Sequence, residues 1–137
     1  MKLLSLVAGL ACLSVPCFAD ETGSAFVPQS FESEISIKLG YKYLLTLPEG
    51  YDKDATKKWP LLVFLHGAGE RGDDLNLLKK HGPPKLIAAG QKFEAIVISP
   101  QVKSGEYWNP HGVKALVDVI KKSHRVDDYR VYLTGIS

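Results

Sequence analysis

The sequence predicts an α/β fold: an antiparallel hairpin, then strands alternating with helices in the order β-α-β-α-β. Three observations carry this. Leu61-Leu62-Val63-Phe64-Leu65 is apolar at every position, the pattern of a strand covered on both faces inside a mostly parallel sheet. Ala95-Ile96-Val97-Ile98 has the same character. Between that stretch and the chain's last apolar run, Val113, Leu116, Val117 and Ile120 recur at helical spacing. Strands separated by helices need crossover connections, and crossovers imply parallel pairing.

Each element follows from local pattern. Phe31, Ser33, Ile35, Ile37 and Leu39 alternate with Glu32, Glu34, Ser36 and Lys38, which predicts a half-buried strand over 31–39. Gly40 breaks it, Tyr41 to Leu47 forms a second strand, and the short spacing predicts a hairpin. Pro48-Glu49-Gly50-Tyr51-Asp52 is turn chemistry, and the lysines through Lys58 read as a solvated loop. After the strand at 61–65, Asp73 or Asp74 caps a short helix through Lys80. Pro83-Pro84 leads into a second short helix, Lys85 to Ala89, stopped at Gly90. The strand at 95–98 ends at Ser99-Pro100, a helix runs from near Pro110 to about Ser123, and Val131 to Thr134 is the final strand.

Composition bounds the rest. The chain of 137 residues is 45% hydrophobic and 23% charged, enough for one small domain with a real core. Met1-Lys2, an apolar run from Leu3 to Val15, and Cys17-Phe18-Ala19 form a secretory signal peptide with cleavage after Ala19. The alternative, an N-terminal anchor, is opposed by the length of the run, too short to span about 30 Å of hydrocarbon. Residues 20–30 form a loose leader, and 31–137 the domain. Both cysteines, Cys12 and Cys17, lie in the signal, so the mature chain has no disulfide framework and no thiolate chemistry. The expected location is secreted or periplasmic. Seventeen basic and fifteen acidic residues give +2, and loss of Lys2 with the leader leaves +1. Nothing concentrates positive charge on one face, which argues against a nucleic-acid partner.

Two stretches carry candidate chemistry. Val131-Tyr132-Leu133-Thr134-Gly135-Ile136-Ser137 is a strand, a glycine that permits a tight turn, and a serine two residues on. Strand followed by Gly-x-Ser is the visible part of a nucleophile elbow. The bland alternative is a strand running into a turn. The second stretch is His66-Gly67-Ala68-Gly69-Glu70-Arg71-Gly72, directly after the most apolar strand. Glycines there let backbone N–H groups face the space above the sheet, where they stabilise an oxyanion formed on serine attack. Gly67, Gly69 and Gly72 also spell the dinucleotide motif G-x-G-x-x-G. Against that reading, two strands precede it, Asp73 and Asp74 come at once after it, and the next strand's acid, Glu94, is at the wrong end. Arg71-Gly72-Asp73 reads as a charged turn. His66 is expected to brace its loop beside a substrate cleft, with Tyr107 and Trp108 lining that cleft or anchoring their own loop. His81, His111 and His124 are expected to be solvated. No spacing suggests a metal site, and no cofactor is implied.

These pieces in this order, His66 to Gly72, Ile98-Ser99-Pro100-Gln101, Tyr107-Trp108 and Leu133 to Ser137, resemble the secreted esterase branch of the α/β-hydrolase superfamily. That branch includes phospholipase/carboxylesterase and polyhydroxybutyrate-depolymerase-like esterases, and it is close to prolyl-oligopeptidase catalytic domains. The resemblance runs from about Tyr41 to Ser137. It implies an N-terminal part of an α/β-hydrolase sheet, truncated, and carboxylic ester hydrolysis by descent, on a small-molecule or polymer ester. It implies Ser137 as nucleophile, the Ala68 backbone N–H as one oxyanion donor, and Gly67 shaping that loop. In the superfamily the triad acid and histidine come after the serine. Neither is in this sequence, so the expectation is a fragment ending at its nucleophile and inactive by itself. A prolyl-oligopeptidase-type serine peptidase shares every residue named. A non-catalytic or nucleotide-binding module built on the Gly67–Gly72 loop is the remaining alternative.

Overall fold

A computed structural model describes residues 29–34 and 36–137. The chain divides into two compact units, Met1–Ser36 and Ile37–Ser137. In the first, the described residues form no helix or strand, and Phe31 is exposed. The signal sequence and its cleavage after Ala19 lie outside the described residues.

The second unit is an α/β domain. Its strands are β1 (Lys42–Thr46), β2 (Trp59–Leu65), β3 (Ile96–Gln101) and β4 (Val126–Gly135), and its helices α1 (Gly82–Ala88) and α2 (Pro110–Ser123). Short 3₁₀ turns occupy Tyr51–Lys53, Ala68–Glu70 and Leu75–Lys80. The four strands form one mixed sheet in the order β1-β3-β2-β4. β1 is antiparallel to β3, while β2 is parallel to both β3 and β4. This is the α/β class the sequence predicts, a mixed sheet with one antiparallel and two parallel pairings.

One expected element is corrected. No strand occurs among described residues 29–34 and 36–41, so the hairpin is not formed. An alternating strand needs cover for its apolar set, yet Phe31 is 88% and Ile37 64% exposed. β1 pairs instead with β3, Lys42 opposite Gln101 through Thr46 opposite Val97. β3 is buried at all six positions, as its two-sided apolar pattern requires.

The other boundaries shift for identifiable reasons. β4 begins at Val126, earlier than its apolar run, because Trp59 pairs with Val126 and Leu61 with Val131. The intervening residues bulge out, held by Asp127, which accepts from Tyr129 N–H (3.0 Å) and Arg130 Nε (2.7 Å). Asp74 caps the turn at Leu75–Lys80, accepting from Asn76 N–H at 2.9 Å. Pro83 and Pro84 sit inside the first turn of α1, where a missing N–H costs nothing. Asn109 caps α2, its Oδ1 accepting from His111 N–H (3.0 Å) and Gly112 N–H (3.3 Å).

The core forms where β2 and β3 meet α2. Trp59, Leu61, Val63, Ile96, Ile98, Ile120 and Val126 pack with Tyr51. Arg125 closes one end: its backbone N–H donates to the Tyr51 hydroxyl at 2.9 Å, and its guanidinium donates to Tyr51 O and stacks on that ring at 3.9 Å. On the other sheet face the Phe64 ring abuts Gly82 at the start of α1. With both faces of β2 covered, its carboxyl end is fixed, and that end leads into the site.

Candidate active site

β2 and β4 are parallel, with Leu65 directly opposite Gly135. The segments that leave these two strands therefore emerge side by side at one carboxyl edge. The strands stay joined past their last pair, because Ile136 N–H donates to Leu65 O at 3.1 Å. Gly67 and Ser137 come into contact there. A methyl on Gly67 would lie 3.0 Å from the Ser137 carbonyl carbon and 3.2 Å from its oxygen. Gly135 is equally tight, since a methyl there would lie 2.8 Å from Leu65 O. Both glycines are thus set by close backbone approach rather than by a left-handed turn, neither having positive φ. Ser137 is exposed, and no hydrogen bond to its hydroxyl occurs among the described residues.

The glycine loop is pinned from below. His66 is buried and both ring nitrogens are engaged: Nδ1 is 2.6 Å from Gly67 O, and Nε2 accepts from Val102 N–H at 3.0 Å. An acceptor Nε2 assigns the proton to Nδ1, which then donates to Gly67 O. Trp108 Nε1–H donates to His66 O at 3.2 Å, and the two rings sit 4.9 Å apart. His66 therefore supports the loop from within instead of walling an open cleft. Gly67 N–H donates to Glu70 Oε2 at 3.1 Å, and Gly72 N–H to Val102 O at 2.9 Å. Gln101 donates from Nε2 to both Glu70 O and Asp74 O at 2.9 Å. Ala68 is exposed, and its N–H has no acceptor among the described residues.

The aromatic pair separates. Tyr107 is 76% exposed and carries the Arg71 guanidinium 4.4 Å from its ring centroid. Trp108 packs between His66 and Tyr41, and it lines a groove of ≈ 400 Å³ with Val63, Leu65, Val113, Val131 and Leu133. Its indole thus anchors its loop and borders an apolar groove.

Three contributors were not singled out by sequence reasoning: Glu70, Gln101 and His81. His81, expected to be solvated, stands with Nε2 3.6 Å from Glu70 Oε1. Glu70 had a legible signal. A Glu three residues after a turn's first residue is the spacing at which a side chain reaches back to that residue's N–H. Gln101 had none, because its partners are 27 and 31 residues away.

Fold and edge together define a class: an α/β protein with a braced glycine loop and, beside it, a serine just past the end of β4, at the carboxyl edge of a mixed sheet, the place where open α/β sheets bind ligands. No family model matches the chain, and no curated protein matches it. Solved structures do. One is described as a thermostable esterase, 29% identical, with a TM-score of 0.47, covering 69% of this chain and 30% of that one. A second is a ferulic acid esterase, 23% identical, with a TM-score of 0.48, covering 69% and 44%. A third is the CE1 ferulic acid esterase AmCE1/Fae1A from the anaerobic fungus Anaeromyces mucronatus, 16% identical, with a TM-score of 0.44, covering 78% and 53%. The chain thus spans about a third to a half of the length of the structures it matches. No described helix is long and apolar enough to cross a membrane.

Proposed function

We propose that these residues supply the nucleophile and one half of the oxyanion hole of a serine carboxylic ester hydrolase. The observation that carries the reading is the Leu65–Gly135 register, which sets Ser137 against the Gly67–Ala68 loop at one sheet edge. Ser137 Oγ attacks the acyl carbon, and a histidine takes its proton. The tetrahedral oxygen is held by Ala68 N–H and by the N–H of the residue after the serine. Collapse expels the alcohol, and water then releases the acid from the acyl-serine. Such a donor is worth about 2.7–4 kcal/mol of transition-state stabilisation. No cofactor takes part. The leader through Ala19 directs the protein to a secreted or periplasmic location.

The base comes from outside the described residues. His66 has both nitrogens committed, and no hydrogen bond reaches the Ser137 hydroxyl. A lone serine hydroxyl is a weak nucleophile, so the 137 residues by themselves turn over no ester. The complete gene product hydrolyses p-nitrophenyl esters in preference to prolyl peptides, and Ser137→Ala abolishes this. Hydrolysis that survives Ser137→Ala refutes the reading, and so does stabilisation of the protein by NAD or ATP without any ester hydrolysis.

A further inference from the structure

Glu70 is the one buried carboxylate among the described residues, only 6% exposed. Burying a carboxylate costs several kcal/mol unless it is paired and hydrogen-bonded, so its place under the glycine loop calls for a function. Its Oε2 accepts Gly67 N–H at 3.1 Å, and its Oε1 lies 3.6 Å from His81 Nε2. Its own backbone is held as well. Glu70 N–H donates to Gly67 O at 3.4 Å, and Glu70 O accepts from Gln101 Nε2 at 2.9 Å.

The two peptide groups flanking Gly67 are therefore pinned separately. The first turns its N–H to Glu70. The second turns its C=O to His66 Nδ1 at 2.6 Å. In a trans peptide the N–H points opposite to the C=O, so Ala68 N–H faces away from His66, the direction in which it meets no acceptor among the described residues. Gly67 lacks the Cβ that would resist rotation of either peptide. Without the carboxylate, Gly67 N–H is free to swing outward and the next peptide plane is free to tilt.

We propose that Glu70 is a positioning residue for this loop: its carboxylate takes up Gly67 N–H so that Ala68 N–H alone is presented, already oriented, on the loop that meets Ser137 at Gly67. The catalytic part of this rests on the ester-hydrolase reading; the hydrogen-bonded part does not. An oriented donor costs no reorganisation during reaction, and that preorganisation is what makes such donors effective.

The test uses NMR on this chain and kinetics on the complete gene product. In the unmodified protein, a scalar coupling across the hydrogen bond links Gly67 ¹⁵N to Glu70 ¹³Cδ. Glu70→Gln keeps an oxygen acceptor at the same reach and leaves the exchange rate of the Gly67 amide within about threefold, while Glu70→Met, which cannot accept, raises it by about tenfold or more. The Val63 and Ile98 amides stay unchanged in both. On p-nitrophenyl esters, Glu70→Met lowers kcat by about tenfold or more with KM little changed, and Glu70→Gln recovers most of the loss. Absence of the coupling, or equal Gly67 exchange in all three proteins, overturns the proposal. If Glu70→Met raises exchange at every amide, the coupling and the Glu70→Gln exchange rate decide instead. If the coupling and exchange behave as stated but hydrolysis survives Ser137→Ala, the hydrolase reading fails while the brace stands. If kcat is unchanged in Glu70→Met while Ser137→Ala is inactive, the positioning role alone is refuted.

Discussion

Gly82→Ala puts the packing beneath the site to a quantitative test. Gly82 opens α1 with φ +58, and a methyl there would lie 2.4 Å from Phe64 Cζ and 2.5 Å from Cε2. Carbon atoms sit comfortably at about 3.5–4.0 Å, so the ring must retreat by about an ångström. Phe64 is 2% exposed and has nowhere open to go. Overpacking of this kind costs about 1–3 kcal/mol. A Cβ in the left-handed region adds about 1–2 kcal/mol. The stiffer unfolded chain returns about 0.4–1 kcal/mol. The net expectation is a loss of about 1–4.5 kcal/mol, centred near 3.

Gly90→Ala is the matched control. Gly90 has φ +92 and nothing within 4 Å of the added methyl, so only the backbone cost applies. Its loss should be about 0–1.5 kcal/mol. Urea unfolding monitored by tryptophan fluorescence gives both values, and the difference isolates the Phe64 contact. Equal losses would refute the claim that the Phe64 ring packs against the bare Cα of Gly82. The result bears on function because Phe64 lies two residues before His66, so a displaced ring disturbs the strand that carries the glycine loop.

Four further outcomes are expected. Gly67→Ala forces Ser137 away from the loop by a few tenths of an ångström and lowers kcat for ester hydrolysis by about tenfold, whereas unchanged kcat would separate the loop from the serine. Asn109→Ala removes the cap of α2 and costs about 0.5–2 kcal/mol in urea unfolding. Gln101→Leu breaks two hydrogen bonds to the loop backbone and speeds hydrogen exchange at the amides of residues 70–76, leaving the β3 amides protected. The Asp127 carboxyl is held below its ordinary 3.8 chiefly by the Arg130 side-chain hydrogen bond, as Asp54 is by Thr56 and Asp118 by Lys114. A carboxyl that titrates lower folded than unfolded stabilises above its unfolded value and loses that contribution as pH falls through the folded one. The urea midpoint should therefore drop from pH 7 to pH 3, by less in Asp127→Asn, and an unchanged drop would remove the Arg130 pairing as its cause.

Much of this fold is written locally. The two-sided apolarity of Leu61–Leu65 and Ala95–Ile98 marks central strands, because only a strand covered on both faces can bury every position. The helical spacing of Val113, Leu116, Val117 and Ile120 places α2 against them, and Pro83-Pro84 mark the first turn of α1 while Gly90 follows its end. In the candidate site the glycine loop was legible for the same reason, since turn chemistry depends on the residues in the turn, whereas Ile136 and Ser137 leave β4 without a turn. The sequence also suggested a strand at 31–39 paired in a hairpin with 41–47, where alternation describes a surface seeking cover and says nothing of whether cover exists. It left the bulge of β4 unseen, since Asp127-Asp128-Tyr129-Arg130 reads as loop until Asp127 gathers its own partners.

Tertiary structure alone decided the rest, because these facts depend on which strands are neighbours. Only strand order brings β4 beside β2, and only register sets Gly135 against Leu65 so that Gly67 touches Ser137. Only packing turns His66 inward with both nitrogens bound and draws Gln101 under a loop far away in sequence. Residue types supply the donors and acceptors of this edge, but direction and distance arise when separate segments are pressed onto one sheet.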